Sequence, residues 1–211
     1  MPPSAEIERI LRLSPVMPVV VIEEAKIAPE LARAFVHGGI RVVEITLRTP
    51  AALAAIEAIA RAVPEIAVGA GTVLSIDDLG TAASAGATFA ISPGATPTLL
   101  SAAASAPIPY LPAVATASEV MAGLACGYHC FKFFPAAAAG GTAMLKAFAG
   151  PFPHVRFCPT GGITQESVSS YLELGNVLCA GGSWLSPADA VAARDWRRIE
   201  ALASRAAASR T

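Results

Sequence analysis

Short apolar runs rich in β-branched residues alternate along this chain with longer segments in which apolar residues recur at helical spacing. The apolar runs predict buried strands at positions 16–22, 40–46, 66–70, 88–92, 108–112, 129–134, 154–159 and 177–181. The longer segments predict helices at 29–37, 50–62, 76–86, 117–127, 141–148 and 165–174, with further helices opening at Thr96-Pro97 and Ser186-Pro187. A short amphipathic helix at 4–13 precedes the first strand.

The order of these elements predicts an α/β fold with a parallel sheet. About eight strand–helix units follow one another at a spacing of roughly 20–25 residues, which is typical of a (β/α)8 barrel. The strands are continuous apolar runs, as expected when both faces of a sheet are covered. A doubly wound open sheet is the competing fold, but it usually has fewer units and a glycine-rich fingerprint after the first strand, which this sequence lacks. No linker divides the chain, so we predict one domain, 1–211, forming a parallel (β/α)8 TIM barrel with an extra N-terminal helix.

Several predicted helices carry N-terminal capping signals. Ser75 with Asp78, and Thr116 with Glu119, have the spacing of a capping box. Thr49-Pro50 and Thr96-Pro97 each place a capping threonine before a proline at the first helical position.

Composition and charge exclude several classes of partner. The hydrophobic content of 54% comes largely from alanine, and no stretch reaches the ~18 consecutive apolar residues of a membrane span. The net charge is -1 and no basic block is present, which argues against nucleic acid and acidic membranes. Met1 to Arg12 contains Glu6 and Glu8 and no apolar core, so it does not resemble a secretory signal. We therefore expect a cytoplasmic protein whose partner is a small molecule.

The cysteines and histidines do not predict a metal site. The four cysteines, Cys126, Cys130, Cys158 and Cys179, form no CxxC pair, and three lie in or beside predicted strands. They are typical of buried thiols in a reducing compartment. The histidines, His37, His129 and His154, fall at helix ends or strand beginnings, and we interpret them as structural or surface residues. We expect no metal and no cofactor.

One lysine stands in an unexpected place. Lys132 lies within the aromatic, apolar stretch 131–135, in the predicted strand 129–134. Burial disfavours an ammonium group, so a lysine there can act as a neutral, nucleophilic amine near pH 7. Arginine cannot, since it stays charged. A lysine that reaches water from a strand end, or one half of a buried ion pair, explains the position equally well.

Polar residues at other strand ends point to the same place. The catalytic groups of parallel barrels lie at the C-terminal strand ends, and strand residues alternate between the interior and the helix layer. Alternation places Glu44, Thr46 and Arg48 on one side, with Val68, Ala70 and Thr72 on the corresponding side of the third strand. Glu44 is flanked by apolar residues and can serve as a proton carrier or as the partner of Lys132 or Arg48. Arg48 can hold a carboxylate in a fork of two hydrogen bonds, or it is a solvated loop residue.

Glycine pairs follow the seventh and eighth predicted strands. Thr160, Gly161 and Gly162 follow the first of these, and Gly181, Gly182 and Ser183 end the second. Backbone N–H groups in loops after these two strands commonly bind phosphate in parallel barrels. Glu23 and Glu24 follow the first strand, and we interpret them as a solvated loop.

These segments together resemble the 2-keto-3-deoxy-6-phosphogluconate (KDPG) aldolase family, whose members often also act on 4-hydroxy-2-oxoglutarate. The similar stretches are Gly39-Ile40-Arg41-Val42-Val43-Glu44-Ile45-Thr46-Leu47-Arg48-Thr49, Val68-Gly69-Ala70-Gly71-Thr72-Val73-Leu74, Phe89-Ala90-Ile91-Ser92-Pro93-Gly94, Phe131-Lys132-Phe133-Phe134-Pro135, Arg156-Phe157-Cys158-Pro159-Thr160-Gly161-Gly162-Ile163 and Gly181-Gly182-Ser183-Trp184-Leu185. They occur in the family's order along nearly the whole chain.

The resemblance implies a homotrimeric (β/α)8 lyase of the Entner–Doudoroff pathway that works through a Schiff base without metal. It implies that Lys132 forms the Schiff base, Glu44 transfers protons, and Arg48 and Thr72 bind the pyruvate carboxylate. It also implies a substrate and phosphate site, formed by Thr160, Gly161, Gly162, Gly181, Gly182 and Ser183. Two loops depart from the family pattern: 137–139 is all alanine where relatives are acidic and more polar, and 112–116 lacks the usual proline–glycine start.

Three other functions are compatible with the same residues. The first is an aldolase for unphosphorylated 4-hydroxy-2-oxoglutarate or for a galactonate-derived epimer. The second is a phosphate-binding barrel without catalysis. The third is a sugar-phosphate isomerase, which would not need Lys132.

Overall fold

The computed structural model describes residues 3–210 and has parallel strands surrounded by helices. The strands are β1 (Val16–Val20), β2 (Val42–Thr46), β3 (Ala67–Gly71), β4 (Phe89–Ile91), β5 (Tyr110–Leu111), β6 (Ala113–Val114), β7 (Cys130–Phe133), β8 (Arg156–Pro159) and β9 (Ala180–Gly182). The helices are α1 (Pro3–Leu11), α2 (Ala28–His37), α3 (Ala52–Ala62), α4 (Ile76–Ser84), α5 (Pro97–Ala103), α6 (Ala117–Ala125), α7 (Gly141–Ala149), α8 (Val168–Leu172), α9 (Ala188–Ala192) and α10 (Trp196–Ala207). The predicted parallel α/β fold and the extra N-terminal helix are confirmed.

The strands form two parallel sheets. One has six strands in the order β5-β4-β3-β2-β1-β9, and the other has three in the order β6-β7-β8. Two isolated parallel bridges, Phe157 to Val177 and Thr160 to Gly181, join the β8 region to the β9 region. The structure is therefore a parallel α/β fold with a half-barrel, and residues 3–210 do not form one continuous eight-stranded ladder.

The break between the sheets has a local cause at Pro112. The predicted strand 108–112 is replaced by two short strands, β5 and β6, on either side of this proline. Proline has no backbone N–H to donate to a ladder, although its carbonyl still accepts a hydrogen bond from Lys132 N at 2.9 Å.

Most predicted helix starts are confirmed. Ser75 with Asp78, and Thr116 with Glu119, form reciprocal capping boxes, and Thr96 accepts a hydrogen bond from Leu99 N. The predicted cap at Thr49 is wrong: α3 begins at Ala52, and the Thr49 hydroxyl donates to Ile22 O instead. That bond ties the loop after β2 to the end of β1.

The C-terminal segment contains two helices, α9 and α10, where the sequence predicted one helix opening at Ser186-Pro187. The chain leaves α9 through Arg194, which has a positive φ of 53°, and Asp195 then caps α10 by accepting from Arg198 N. A left-handed residue ends a helix because its backbone turns the following N–H groups back toward the last carbonyls.

The buried residues form two clusters that define an inside and an outside. The larger cluster lies between the sheets and the helices and includes Val43, Ile45 and Phe131. The smaller cluster fills one end of the interior; its members are Ile7, Ile10, Leu11, Met17, Val42, Phe89, Ile91, Leu111, Cys130, Cys158, Leu178 and Cys179. Helix α1 thus closes the end of the interior opposite the C-terminal strand ends.

The fold bears on two expectations from the composition, which concern membrane spans and the state of the cysteine thiols. Among the helices formed by residues 3–210, none is long and apolar enough to cross a membrane. Over the same residues no disulfide is formed: Cys126 is exposed, and Cys130, Cys158 and Cys179 are buried.

Candidate active site

Lys132 and Glu44 meet in the interior. Lys132 lies on β7 and Glu44 on β2, and Lys132 Nζ is 3.1 Å from Glu44 Oε1 and 3.4 Å from Oε2. The lysine is 5% exposed and the glutamate 0% exposed. Lys132 therefore does not reach water from a strand end, and it does form a buried ion pair. A pair so placed can pass a proton between its members, because no side-chain movement is needed.

The space for Glu44 is provided by a glycine on the neighbouring strand. Gly71 on β3 lies beside it, and a methyl group there would overlap the Glu44 carboxylate. The absence of a side chain at Gly71 thus leaves room for the Glu44 carboxylate.

Arg48 and Thr72 form the second polar contact of the site. Arg48 Nε donates to Thr72 Oγ1 at 3.2 Å, and Arg48 is exposed at the end of β2. Thr72 has a φ of 61°, which is a strained conformation for a β-branched residue. Such strain persists where the surrounding structure or a function requires it.

The predicted alternation of β3 is wrong, although Thr72 does reach the site. Val68 and Ala70 belong to the larger cluster, between the sheets and the helices. Gly69 and Gly71 face the interior, against Phe89 and Glu44. Thr72 therefore turns toward Arg48 because of its left-handed backbone and not because the strand continues straight.

Thr160, Gly161 and Gly162 form a turn directly after β8. Both glycines have positive φ, 100° and 74°. A methyl group on Gly161 would press on Phe134, and one on Gly162 would overlap Ala137. Packing and backbone conformation thus account for both glycines without a ligand. Within residues 3–210, the N–H of Gly162 donates no hydrogen bond, so it remains available to an anion.

The second glycine pair lies beside the first, but Gly181 and Gly182 belong to β9 itself rather than following the last strand as predicted. Gly181 bridges Thr160, and a methyl group on Gly181 would overlap the Thr160 side chain. Gly182 lies under the Trp184 ring, and Ser183 is exposed. The structure therefore brings together the two glycine pairs that are 20 positions apart in the sequence, one in a turn after β8 and one at the end of β9.

Phe134 connects the two halves of the site and was not among the predicted site residues. Its ring centroid is 5.2 Å from Lys132 Nζ, and the ring also lies against the Gly161 turn. An aromatic face attracts a cation, so this ring can stabilise the positive charge of an iminium formed on Lys132. The spacing of two residues from Lys132 was the available signal, because it places both side chains on one side of the strand.

The arrangement suits carbonyl chemistry at a buried amine. Lys132 supplies a nucleophile, Glu44 a proton acceptor in contact with it, and Arg48 a cation at the mouth. No cluster of three or more His, Cys, Asp or Glu side chains that could hold a metal ion occurs in the described part of the chain.

Known proteins with similar sequences and structures carry a consistent set of names. A family model described as KDPG and KHG aldolase matches residues 7–202. The KHG/KDPG aldolase of Escherichia coli (strain K12) is 54% identical over 199 residues, which cover 94% of this chain and 93% of that protein.

Two solved structures have almost the same fold. The KDPG aldolase of Legionella pneumophila, with pyruvate captured at low pH as a covalent carbinolamine intermediate, has a TM-score of 0.93 and 48% identity, covering 95% of this chain and 98% of that one. The Zymomonas mobilis ZM4 aldolase with 3-phosphoglycerate has a TM-score of 0.92 and 48% identity, covering 97% of this chain and 96% of that one. With the family match spanning residues 7–202, this chain belongs to the KDPG and KHG aldolase family.

Proposed function

We propose that this protein is a class I aldolase, a lyase that cleaves 2-keto-3-deoxy-6-phosphogluconate to pyruvate and D-glyceraldehyde 3-phosphate in the Entner–Doudoroff pathway. The observation that carries the proposal is the buried contact of 3.1 Å between Lys132 Nζ and Glu44 Oε1. The carbinolamine formed with pyruvate in the Legionella aldolase, which is 48% identical, supports the same covalent chemistry.

The first half of the reaction forms a Schiff base. Glu44 takes a proton from the Lys132 ammonium, and the neutral amine attacks the C2 ketone of the substrate to give a carbinolamine. Glu44 returns the proton to the carbinolamine hydroxyl, which leaves as water, so that an iminium remains and Glu44 is again a carboxylate; the Phe134 ring faces the positive charge.

The second half breaks the carbon–carbon bond. Glu44, acting through a water molecule, accepts the proton of the C4 hydroxyl, and the C3–C4 bond electrons move into the iminium to give an enamine. D-Glyceraldehyde 3-phosphate leaves, and C3 is reprotonated. Water then hydrolyses the pyruvate iminium and restores the Lys132 amine.

The remaining site residues bind the two ends of the substrate. Arg48 and Thr72, joined by a 3.2 Å hydrogen bond, hold the carboxylate next to the reacting ketone. Thr160, Gly161 and Gly162, together with Gly181, Gly182 and Ser183, bind the substrate chain and its phosphate. Within residues 3–210, the N–H of Gly162 donates no hydrogen bond, and this supports the second role.

Borohydride reduction with pyruvate present tests the proposal. Reduction of the iminium should leave a stable adduct on Lys132, and the other lysines, Lys26 and Lys146, should stay unmodified. Lys146→Ala is the matched control and should still form the adduct. An adduct retained by Lys132→Ala would refute the assignment.

A second substrate, 4-hydroxy-2-oxoglutarate, is supported by the dual name of the Escherichia coli relative. Cleavage of this compound uses the same amine and carboxylate and releases glyoxylate with pyruvate. Pyruvate release from it, from the phosphogluconate-derived substrate and from the galactonate epimer, measured with coupled lactate dehydrogenase, ranks the three. Equal rates would show that the glycine turns do not select phosphate.

We further propose that the chain is a single closed (β/α)8 domain. The bridges from Phe157 to Val177 and from Thr160 to Gly181 support closure between β8 and β9. We also propose a cytoplasmic location, which three buried cysteine thiols support.

A homotrimer is proposed on the basis of exposed apolar side chains. Leu74 is 65% exposed and Ile76 50% exposed; Leu74 and Leu99 line two surface depressions, and Ile76 lines one of them. Apolar side chains gathered on a surface commonly mark an interface, and a head-to-tail contact between copies closes into a ring. Leu74→Ser/Ile76→Ser should lower the mass measured by light scattering, whereas an unchanged mass would place the interface elsewhere.

A further inference from the structure

A cavity of about 500 Å³ opens beside the candidate active site. Val19 and Val21 of the β1 segment line one side, and Ser183 lines another. Val19 is the strand partner of Glu44, and Ser183 directly follows β9. The cavity therefore extends the proposed site outward, past Ser183.

Arg194, which also lines the cavity, occupies a position that favours glycine. Its φ is 53°, its N–H donates to Val191 O at 3.1 Å, and Asp195 N donates to Ala190 O at 2.9 Å. This pair of hydrogen bonds is the Schellman pattern, in which the left-handed residue is usually glycine. A side chain is thus kept here against its backbone preference, and that side chain lines the cavity.

Arg194 makes a long ion pair with Glu24, which also lines the cavity and makes a shorter ion pair with Lys26. Glu24 lies 2.8 Å from Lys26 Nζ but 3.9 Å from Arg194 Nη2. The hydrogen bond from Lys26 is also the main cause of the lowered pKa of Glu24, with Arg194 the weakest contributor. Glu23 lines the same cavity.

We propose that Arg194 contacts the phosphate at the far end of the substrate, in the cavity that Ser183 also lines, and so favours phosphorylated over unphosphorylated 2-keto acids. The inference rests on the proposed aldolase function. A guanidinium matches a phosphate with two parallel hydrogen bonds, and an apolar wall formed by Val19, Val21 and Val191 makes the contact stronger than in open water. Glu23 repels the same phosphate, so removing its charge should have the opposite effect.

The test compares substrates that share the pyruvate half but differ in the tail. Arg194→Gln should raise KM for the phosphogluconate-derived substrate about fivefold, the size expected of a partly exposed ion pair, with kcat little changed. KM for 4-hydroxy-2-oxoglutarate should stay the same. Glu23→Gln should lower KM for the phosphorylated substrate alone. Arg198→Gln, which removes a cation paired with Asp189 outside the cavity lining, should change neither constant.

A binding measurement separates this inference from the proposed function. 3-Phosphoglycerate, titrated calorimetrically, should bind Arg194→Gln about fivefold more weakly than the unaltered chain and Arg198→Gln equally well. Equal binding by both variants, or an equal rise in KM for both substrates, would overturn the role of Arg194. A different outcome is that the unaltered chain has no aldolase turnover but Arg194→Gln still binds 3-phosphoglycerate more weakly than it does. That result would support the anion contact and refute the proposed reaction.

Discussion

Lys132 Nζ lies 3.1 Å from Glu44 Oε1, although the two residues are 88 positions apart in the chain. Each is the main compensation for burying the other, because a single charge in such surroundings is strongly disfavoured. The same proximity makes the carboxylate the first acceptor for the proton that the amine must lose. One contact thus stabilises the resting protein and prepares the nucleophile.

We expect a strong energetic coupling between these two side chains. Lys132→Met or Glu44→Leu alone should lower the free energy of unfolding by about 3–5 kcal/mol, because each leaves one charge buried without its partner. The double variant should lose clearly less than the sum of the single losses. Urea unfolding of all four proteins measures the coupling, and strictly additive losses would contradict it.

Glu44→Gln separates the binding of pyruvate from proton transfer. Glutamine keeps the shape of the side chain but cannot accept a proton, so kcat should fall by about 10²–10⁴-fold. Borohydride with pyruvate should still label Lys132, although more slowly. A variant with near-normal kcat would show that another group accepts the C4 hydroxyl proton.

Replacing Thr72 by glycine should raise the stability of the protein and lower its affinity for pyruvate. Thr72→Gly relieves the strain of φ 61° and should raise the free energy of unfolding by about 1 kcal/mol, while pyruvate binds more weakly because Arg48 loses its partner. Thr72→Ser keeps the hydroxyl and should bind pyruvate almost normally. Titration with pyruvate and chemical unfolding measure the two effects; a Thr72→Gly enzyme with normal affinity would leave the strain without a function.

Gly71 should tolerate no side chain. Gly71→Ala places a methyl group where the Glu44 carboxylate lies, so kcat/KM should fall by at least about tenfold as Glu44 is displaced. Gly80→Ala is the matched control: no atom lies within 4 Å of the added methyl group, and in helix α4 it should stabilise the protein by up to about 1 kcal/mol. Equal activity of the two variants would contradict the steric argument.

Alkaline pH should remove a contribution of Cys130 to stability. Burial raises the pKa of its thiol to about 12, and the nearby Glu8 carboxylate adds to the rise. Because the folded-state value exceeds the unfolded value near 9.0, this stabilisation is complete below pH 9 and declines as the pH rises toward 12. The difference in free energy of unfolding between the unaltered chain and Cys130→Ala should therefore shrink from pH 8 to pH 10.5. A difference that stays constant would contradict the shift.

The sequence predicted the elements best where a local signal decides the structure. The capping boxes at Ser75 and Thr116 depend on residues three positions apart, and both form as expected. Lys132 and Glu44 were found because charged residues inside apolar strands are rare, which is a signal that does not require knowing the partner.

The sequence failed where a tertiary contact overrides the local pattern. Thr49 has the sequence of a helix cap, but the carbonyl of Ile22 takes its hydroxyl. Alternation on β3 was assigned to the wrong side because Gly69 and Gly71, which have no side chain, are the residues that face inward. The break at Arg194 was missed because arginine is a rare residue at a left-handed position.

The packing of α1 against the far end of the interior determines the side from which substrate enters and products leave. Ile7, Ile10 and Leu11 close that end in one buried cluster with Met17 and Phe89, so molecules enter and leave at the Ser183 side. In the proposed reaction, pyruvate stays attached at depth to Lys132 while the aldehyde lies between it and the opening. The covalent bond to Lys132 already makes the aldehyde the first product to leave, and the closed end of the interior means that it leaves without having to pass the bound pyruvate.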